Sequence, residues 1–307
     1  MNAMTYKASG RIAPAFFPLF ILFMIIGIPL VSMAYVYMIF YIPSIYLNIF
    51  VTGACGAALG VLMLLAVKFG KARNTAVVMV LTVVSAVVMS YVQWIIYIPL
   101  VLSEVFGLTA SFAERLEFTL HLLVNPQETF DFIASINEVG VWTVEIAGEI
   151  ELYGTLLTIV WILEFALMAG VAMLVASIQS KTPFSENANN WYVEQKGVIQ
   201  TDAVEDRESL KTDLGRGELT KLIELIEVGK TNDANFMTVT VHEPPSDASD
   251  DPFIFDIKEH SVNETKRKSK TKIEDIIKGL LVDANKAREI TAKAATVTDP
   301  KDINQAD

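Results

Sequence analysis

The sequence predicts a membrane-embedded, all-α four-helix bundle followed by a small α+β cytosolic domain built as helix, β-hairpin, helix. Three observations predict it. Four apolar runs are each longer than the roughly 18–20 residues a helix needs to cross hydrocarbon. Lys and Arg occur in alternate connections between those runs. Beyond residue 178 the chain changes from apolar to charged. The excess apolar content is large: of 307 residues, 52% are hydrophobic and 19% charged, with mean hydropathy +0.43. An average soluble chain carries about 25% charged residues.

The runs cover about Ala15–Phe40, Ile45–Val67, Ala76–Ile98 and Tyr153–Ile178. The first is too long for a secretory signal core and is expected to remain as a span. Pro29 in its middle predicts a kink. Lys7 and Arg11 precede span one, and Lys68, Lys71 and Arg73 fill the connection between spans two and three. Lys181 and many further basic residues follow span four. Ser103–Leu152 instead carries one basic residue, Arg115, against nine acidic ones. Basic residues stay on the cytoplasmic side, so both termini are expected in the cytoplasm of a multi-pass protein of the cell inner membrane. Tyr35, Tyr37, Tyr41, Tyr91, Trp94 and Tyr97 fall where an outer aromatic belt would lie.

Small residues mark helix contacts. Span two holds Gly53, Gly56 and Gly60, the last two as a GxxxG pair, and span four repeats the spacing in Ala166 with Gly170 and in Ala172 with Ala176. Such pairs let backbones approach closely. Packing within one bundle and assembly into a homo-oligomer both use this feature.

Glu164 is the residue on which function turns. It lies eleven residues after Tyr153 within WILEFALMAG, about 16 Å along a helix. That depth is near the centre of a bilayer whose apolar core is about 30 Å thick, where a carboxylate is costly and usually marks a polar contact, an ion path or a proton relay. No basic residue inside a span is available to pair with it. By residue type, Gln93, Ser90, Ser85 and Thr82 of span three are the expected polar neighbours. Structural glue and a transport or sensing role remain the two readings.

Between spans three and four, Thr109–Val124 is amphipathic, with Phe112, Leu116, Leu120 and Leu123 on one face. Asn125, Pro126 and Glu128 then resemble a helix start, and a second helix is expected to end at Gly140. An interfacial placement suits both.

Residues 179–292 form the predicted cytosolic module, and 293–307 are expected to be a disordered tail. A helix is expected at Glu218–Val228, stopped by Gly229. Alternation in FMTVTVH and FIFDIK places Met237, Val239 and Val241 on one face of a strand and Phe253, Phe255 and Ile257 on one face of another; Glu243–Pro252 joins them as a hairpin. TKIE, from Thr271, reads as a capping box opening a helix with Ile273, Ile276, Ile277, Leu280 and Leu281 on one side. The basic run Lys266–Lys272 is read as a solvated loop before that helix, or as a contact with anionic lipid.

Composition also excludes. A single cysteine, Cys55, rules out an internal disulfide or a cysteine-based zinc site, and three scattered histidines give no metal motif. A net charge of −11 argues against nucleic acid. No phosphate-cradle, nucleophile-elbow or zinc-protease string occurs. No catalytic residue, cofactor or metal is expected, and the chain is read as a non-enzyme.

Several strings resemble a group of uncharacterised bacterial four-span membrane proteins: YIPSIYLN, KFGKARN, NEVGVWT, WILE and PFSENANNWY. In that group the last string is similar to PFCxxCxxWY, the first half of a zinc ribbon whose second cysteine pair lies near the later hairpin. Here those positions hold Ser185 and Ala188, and Glu243–Asp251 has no cysteine. The resemblance therefore implies a metal-free, degenerate ribbon held by Phe, Val and Ile packing. It also implies that Trp142, Trp161, Glu164, Arg73 and Asn74 belong to a recurring pattern. It supplies no activity. The expected function is a membrane anchor or sensor whose cytosolic module binds a protein partner. The alternative is a small transporter or ion-conducting oligomer using Glu164, with Gln93 as its companion.

Overall fold

The computed structural model describes residues 5–42, 45–105, 111–140, 142–145, 149–204, 206–230, 235–265 and 268–297. The chain divides into two compact units, residues 9–181 and residues 1–8 together with 182–307.

The first unit is helical. Its elements are α1 (Phe16–Leu22), a π-turn (Phe23–Gly27), α2 (Ile28–Tyr41), α3 (Ile45–Gly70), α4 (Thr75–Val105), α5 (Phe112–Val124), α6 (Pro126–Val139), the strands β1 (Trp142–Glu145) and β2 (Glu149–Leu152), and α7 (Gly154–Ser180). Four stretches, Phe16–Tyr41, Leu47–Gly70, Thr75–Ser103 and Gly154–Ser180, are long and apolar enough to cross a membrane. Only 22–44% of their most apolar windows is buried inside the protein. The remainder, including Ile25, Leu30, Phe50, Val80 and Leu174, faces outward, an apolar surface suited to lipid rather than water. Backbone groups in such a solvent must pair internally, which helices achieve. The kink expected at Pro29 takes a definite form. Proline lacks the N–H that would continue the ladder, and the turn before it widens into the π-turn.

One end of these helices is basic. The Thr75 hydroxyl donates to the Ser180 carbonyl at 3.1 Å, and the Arg73 N–H to the Arg11 carbonyl at 2.8 Å. These bonds gather Arg11, Lys68, Lys71, Arg73 and Lys181 at the same level.

Helices α3 and α7 make the closest approach. A methyl group placed on Gly56 would lie 2.4 Å from the Met168 carbonyl oxygen, and one on Gly60 2.6 Å from Val175 Cβ and 2.8 Å from the Ala172 oxygen. Ala172 and Ala176 are fully buried. The other small residues expected at contacts are not there. Gly53 and Gly170 have open space where a side chain would go, and Ala166 is exposed. Helical periodicity explains the split, because a contact follows one i, i+4 row and leaves neighbouring rows outside it.

The connection from α4 to α7 differs from expectation in its capping and in an added hairpin. Leu122 is the buried residue of α5, packed with Ile95, Ile98, Phe118 and Phe132. The stripe of Phe112, Leu116, Leu120 and Leu123 is exposed, the condition of a face turned toward lipid in an interfacial placement. The capping box belongs to Ser111 and Glu114 at the start of α5, whereas Asn125 makes no side-chain cap for α6 and donates its amide to the His121 carbonyl. A short antiparallel hairpin, β1 with β2, precedes α7. Residues 109 and 110 of the predicted amphipathic run lie outside the described residues.

The second unit is α+β. In order it holds β3 (Phe184–Ser185), β4 (Asn190–Trp191), β5 (Val193–Asp202), α8 (Arg207–Gly215), α9 (Thr220–Val228), β6 (Asn235–Glu243), β7 (Phe253–Thr265), β8 (Lys268–Val282) and α10 (Ala284–Val297). β5-β6-β7-β8 form an antiparallel sheet in that order. Met237, Val239, Val241, Phe255 and Ile257 line its inner face and are fully buried. Leu210, Leu214, Leu222, Ile226, Ala287 and Ile290 of the helices cover them. β6 and β7 pair as the hairpin that their alternation requires, Val239 opposite Ile257.

Two expectations fail here. The segment opened by TKIE is strand β8, not a helix, and so Lys268–Lys272 lie in a strand rather than a loop; Lys266 and Arg267 lie outside the described residues. The cause is a pair of bulges. Phe255 faces Leu280, Ile257 faces Ile277 and Lys258 faces Asp275, so β8 twice spends an extra residue against β7. Each bulge breaks the two-residue alternation, and apolar residues at 273, 276, 277, 280 and 281 then imitate a helical face. Gly279 sits at one bulge with φ +73°, a conformation glycine adopts without steric cost. The second failure is the tail. α10 runs through 293–297, with Ala294 buried, while 298–307 lie outside the described residues.

The N-terminal residues also belong here rather than with the spans, and the boundary falls at 181/182 instead of 178. Thr5 bridges to Leu280 on the free side of β8. The Tyr6 N–H donates to the Gly279 carbonyl at 2.7 Å, and the Phe184 N–H donates to the Tyr6 hydroxyl at 2.9 Å. An otherwise open sheet edge is thereby partly paired. Beside it, the Asp256 carboxylate accepts from the Gly279 N–H at 2.6 Å and from His242 at 3.3 Å. Burial alone would raise its pKa; these hydrogen bonds and the nearby His242 and Lys278 charges hold it below the ordinary value. Across the sheet, Lys272 and Arg207 hold the Glu274 carboxyl at a pKa of about 2.

Two predictions follow from this packing. Gly56→Ala or Gly60→Ala should lower the thermal stability of the purified protein by about 1–3 kcal/mol, the usual cost of overpacking, whereas Gly53→Ala should leave it unchanged. A depressed carboxyl stabilises the fold above its unfolded pKa of about 4 and loses that contribution as pH falls. Replacing Asp256 by Asn should therefore reduce stability at pH 7 and flatten its decline below pH 4 in circular-dichroism melts.

Candidate functional site

Away from the basic end, α2, α4 and α7, with Thr52 of α3, line a half-open cavity of about 380 Å³. Two features of the sequence open it. Bulky aromatic rings on α4 and α7 hold the helices apart, whereas at the other end small residues draw α3 and α7 together. Trp94 meets Trp161 edge to face, with ring centres 4.8 Å apart at 78°, and Tyr97 at 5.8 Å and 80°.

Glu164 lines this cavity. Asn48 of α3, itself buried, donates its amide N–H to the Glu164 carboxylate at 2.6 Å. The same carboxamide, turned over, would present its oxygen to a protonated Glu164, so Asn48 can serve either state of the acid. Nearby, the Tyr35 and Thr52 hydroxyls lie 3.4 Å apart.

Glu164 lies ten residues past the first residue of α7, about 15 Å at 1.5 Å per residue. It precedes the last residue of α7 by sixteen positions, about 24 Å from the basic end at 1.5 Å per residue. Its partner is the fourth residue of α3. The carboxylate thus lies somewhat nearer to the start of α7 than to its basic end.

Of the polar residues expected beside Glu164, Gln93 and Ser90 line the same cavity. Gln93 does not bond Glu164; its amide points at Cys55 Sγ, 3.3 Å, and Met168 Sδ, 3.7 Å. Thr82 and Ser85 are satisfied by carbonyls of their own helix, Val78 and Leu81. Asn48 was missed. Its signal was present, because an amide in an otherwise apolar span usually hydrogen-bonds another helix.

Other residues singled out by sequence have local roles. Asn74 accepts from the Val77 N–H at the start of α4, 3.1 Å. Trp161 walls the cavity, whereas Trp142 lies in β1, in the short hairpin before α7.

In the α+β unit Ser185 and Ala188, read from the sequence as ribbon positions, belong to a polar clasp. The Ser185 hydroxyl donates to the Asp251 carboxylate at 2.5 Å and accepts from the Ala188 N–H at 3.0 Å. Asn187 donates to the other Asp251 oxygen at 2.6 Å. Tyr192 donates to the Pro252 carbonyl, and burial together with the Asp251 charge pushes its phenol up to about 12. Structural zinc takes four thiolate or imidazole ligands. One carboxylate, one hydroxyl and one amide do not fit it. Hydrogen bonds here join the β3–β4 turn to the loop before β7.

No protein-family model, curated protein or solved structure matches the chain.

Leaving one member of a buried polar pair unmatched costs more than removing both. Asn48→Leu alone should destabilise the detergent-solubilised protein by about 1–3 kcal/mol, and adding Glu164→Leu should recover most of that loss in thermal unfolding. A double variant as unstable as the sum of the single ones would show that the two residues act independently.

Proposed function

We propose that this protein is a sensor or anchor of a bacterial inner membrane. In this reading four spans form a bundle with both termini in the cytoplasm, and the α+β unit is a cytoplasmic module that binds a protein partner. The observation that carries it is the cavity lined by Glu164 and aromatic side chains, with Asn48 bonded to that carboxylate. A half-buried carboxylate in a concave, largely apolar site is a usual mark of a binding function. The basic end of the helices supports the orientation, because Lys and Arg concentrate on the cytoplasmic side.

Transport through an oligomer is the second reading, and Glu164 supports it too. Packing below the cavity favours the sensor. Toward the basic end Leu59, Met63, Ala172 and Ala176 are buried to the point of no exposure, which gives the cavity a closed floor. A conduit would need polar groups free to line a path past that level, whereas the Ser85 and Thr82 hydroxyls there donate to carbonyls of their own helix.

The test is extraction of the tagged full-length protein from its native membrane in mild detergent, with mass spectrometry of the intact complex. A stoichiometric protein partner is expected, lost when residues 182–307 are deleted while the helical unit still inserts. A homo-oligomer without partner, together with flux through proteoliposomes abolished by Glu164→Gln, would replace the sensor by the transporter.

A further inference from the structure

We propose that the cavity binds a small organic ammonium ion, with Glu164 as its counter-charge and the rings of Trp94, Tyr97 and Trp161 as its walls. The inference deepens the sensor reading by naming the chemistry of the ligand, and it rests on that reading for the physiological role of binding.

Charge is the first argument. Among the side chains lining the cavity, Glu164 alone is acidic and none is basic. A cation entering would meet an attractive charge in a low-dielectric site, where such attraction is strong, while an anion would be repelled. Asn48 holds the carboxylate from the side by one N–H donor and carries no compensating charge, so the counter-charge is left for the ligand to supply.

Shape and ring geometry form the second argument. Trp94 stands nearly perpendicular to both Trp161 and Tyr97, at 78° and 80°. Rings set at right angles make corners in which a ring face and a ring edge bound one space. An ammonium seated against the faces gains cation–π attraction, strongest for Trp and larger once water is excluded. The volume of about 380 Å³ falls in the range of small-molecule sites, roughly 300–1,000 Å³.

The same lining argues against an inorganic cation. Calcium takes about six to eight oxygen ligands, and magnesium an ordered octahedron. Here a single carboxylate is the one charged donor, and the other oxygens, on Tyr35, Thr52, Ser90, Gln93 and Thr158, are neutral and set among indole rings and a thioether, Met168, too little charge to replace the hydration of a divalent ion. The wall matches a cation whose charge is spread over carbon substituents. That chemistry belongs equally to a free amine and to the ammonium head group of a lipid.

The experiment uses the full-length protein in dodecyl maltoside, an uncharged detergent, titrated with phenyltrimethylammonium and, separately, with its neutral carbon isostere tert-butylbenzene. Binding is read by tryptophan fluorescence and calorimetry. Saturable one-to-one binding is expected for the cation, at least tenfold tighter than for the isostere. Glu164→Gln, which keeps the bond to Asn48, should weaken the cation at least tenfold and leave the isostere unmoved. Trp161→Leu should weaken the cation at least threefold. A further arm adds short-chain phosphatidylcholine: displacement of the small cation would assign the site to a lipid head group, and its absence to a free amine. A folded wild-type protein that shows no saturable binding, or binds both probes alike, overturns the proposal, and so does undiminished affinity in a folded Glu164→Gln variant. Those outcomes leave the sensor reading standing if the partner still co-purifies with the α+β unit.

Discussion

The close approach of α3 and α7 organises the helical unit. It depends on two glycines, Gly56 and Gly60, whose missing side chains admit the backbone of Met168 and Ala172. In hydrocarbon no hydrophobic effect drives helices together, so van der Waals contact and polar bonds must do so. Backbone proximity supplies the first and places the second. Once α7 lies in that groove, Asn48 and Glu164 fall opposite each other farther along the same pair of helices. The polar contact is therefore a consequence of the small-residue contact, and the cavity is its counterpart on the aromatic side.

That arrangement reconciles two requirements that conflict in a membrane. A carboxylate in an apolar region needs a partner, and a binding site needs a group left available. Asn48 satisfies one oxygen of Glu164 from α3, while the cavity between α2, α4 and α7 exposes the acid on its other side. Tight packing near the basic end gives the cavity a floor. Both needs are met by one helix pair that is close at one level and separated from its neighbours at another.

The α+β unit solves a different problem, the exposed edge of a short sheet. β8 is bulged twice, and Gly279 allows its chain to turn so that Asp256 can hold its N–H. The carbonyl of the same glycine then receives the Tyr6 N–H. Tyr6 in turn accepts from Phe184 at the start of the β3–β4 turn, which Ser185 and Asp251 tie to the loop before β7. Hydrogen bonds among residues distant in sequence thus connect the N-terminal segment, the turn and the sheet.

Much of this was legible from residue order. Four apolar runs determined four long helices, because any span-length apolar segment in lipid must pair its own backbone. Alternation determined β6 and β7, and Gly229 marked the end of α9. Glu164 was conspicuous as the one acid in a span. Tertiary structure alone decided its partner, since Asn48 is 116 positions away and only the groove at Gly56 and Gly60 brings the two into register. It also decided which small residues pack, and it made a strand of the segment from Lys268 to Val282. Local sequence reports periodicity; a bulge set by a neighbouring strand changes that periodicity without changing a residue, and pairing across the chain is where the remaining information lies.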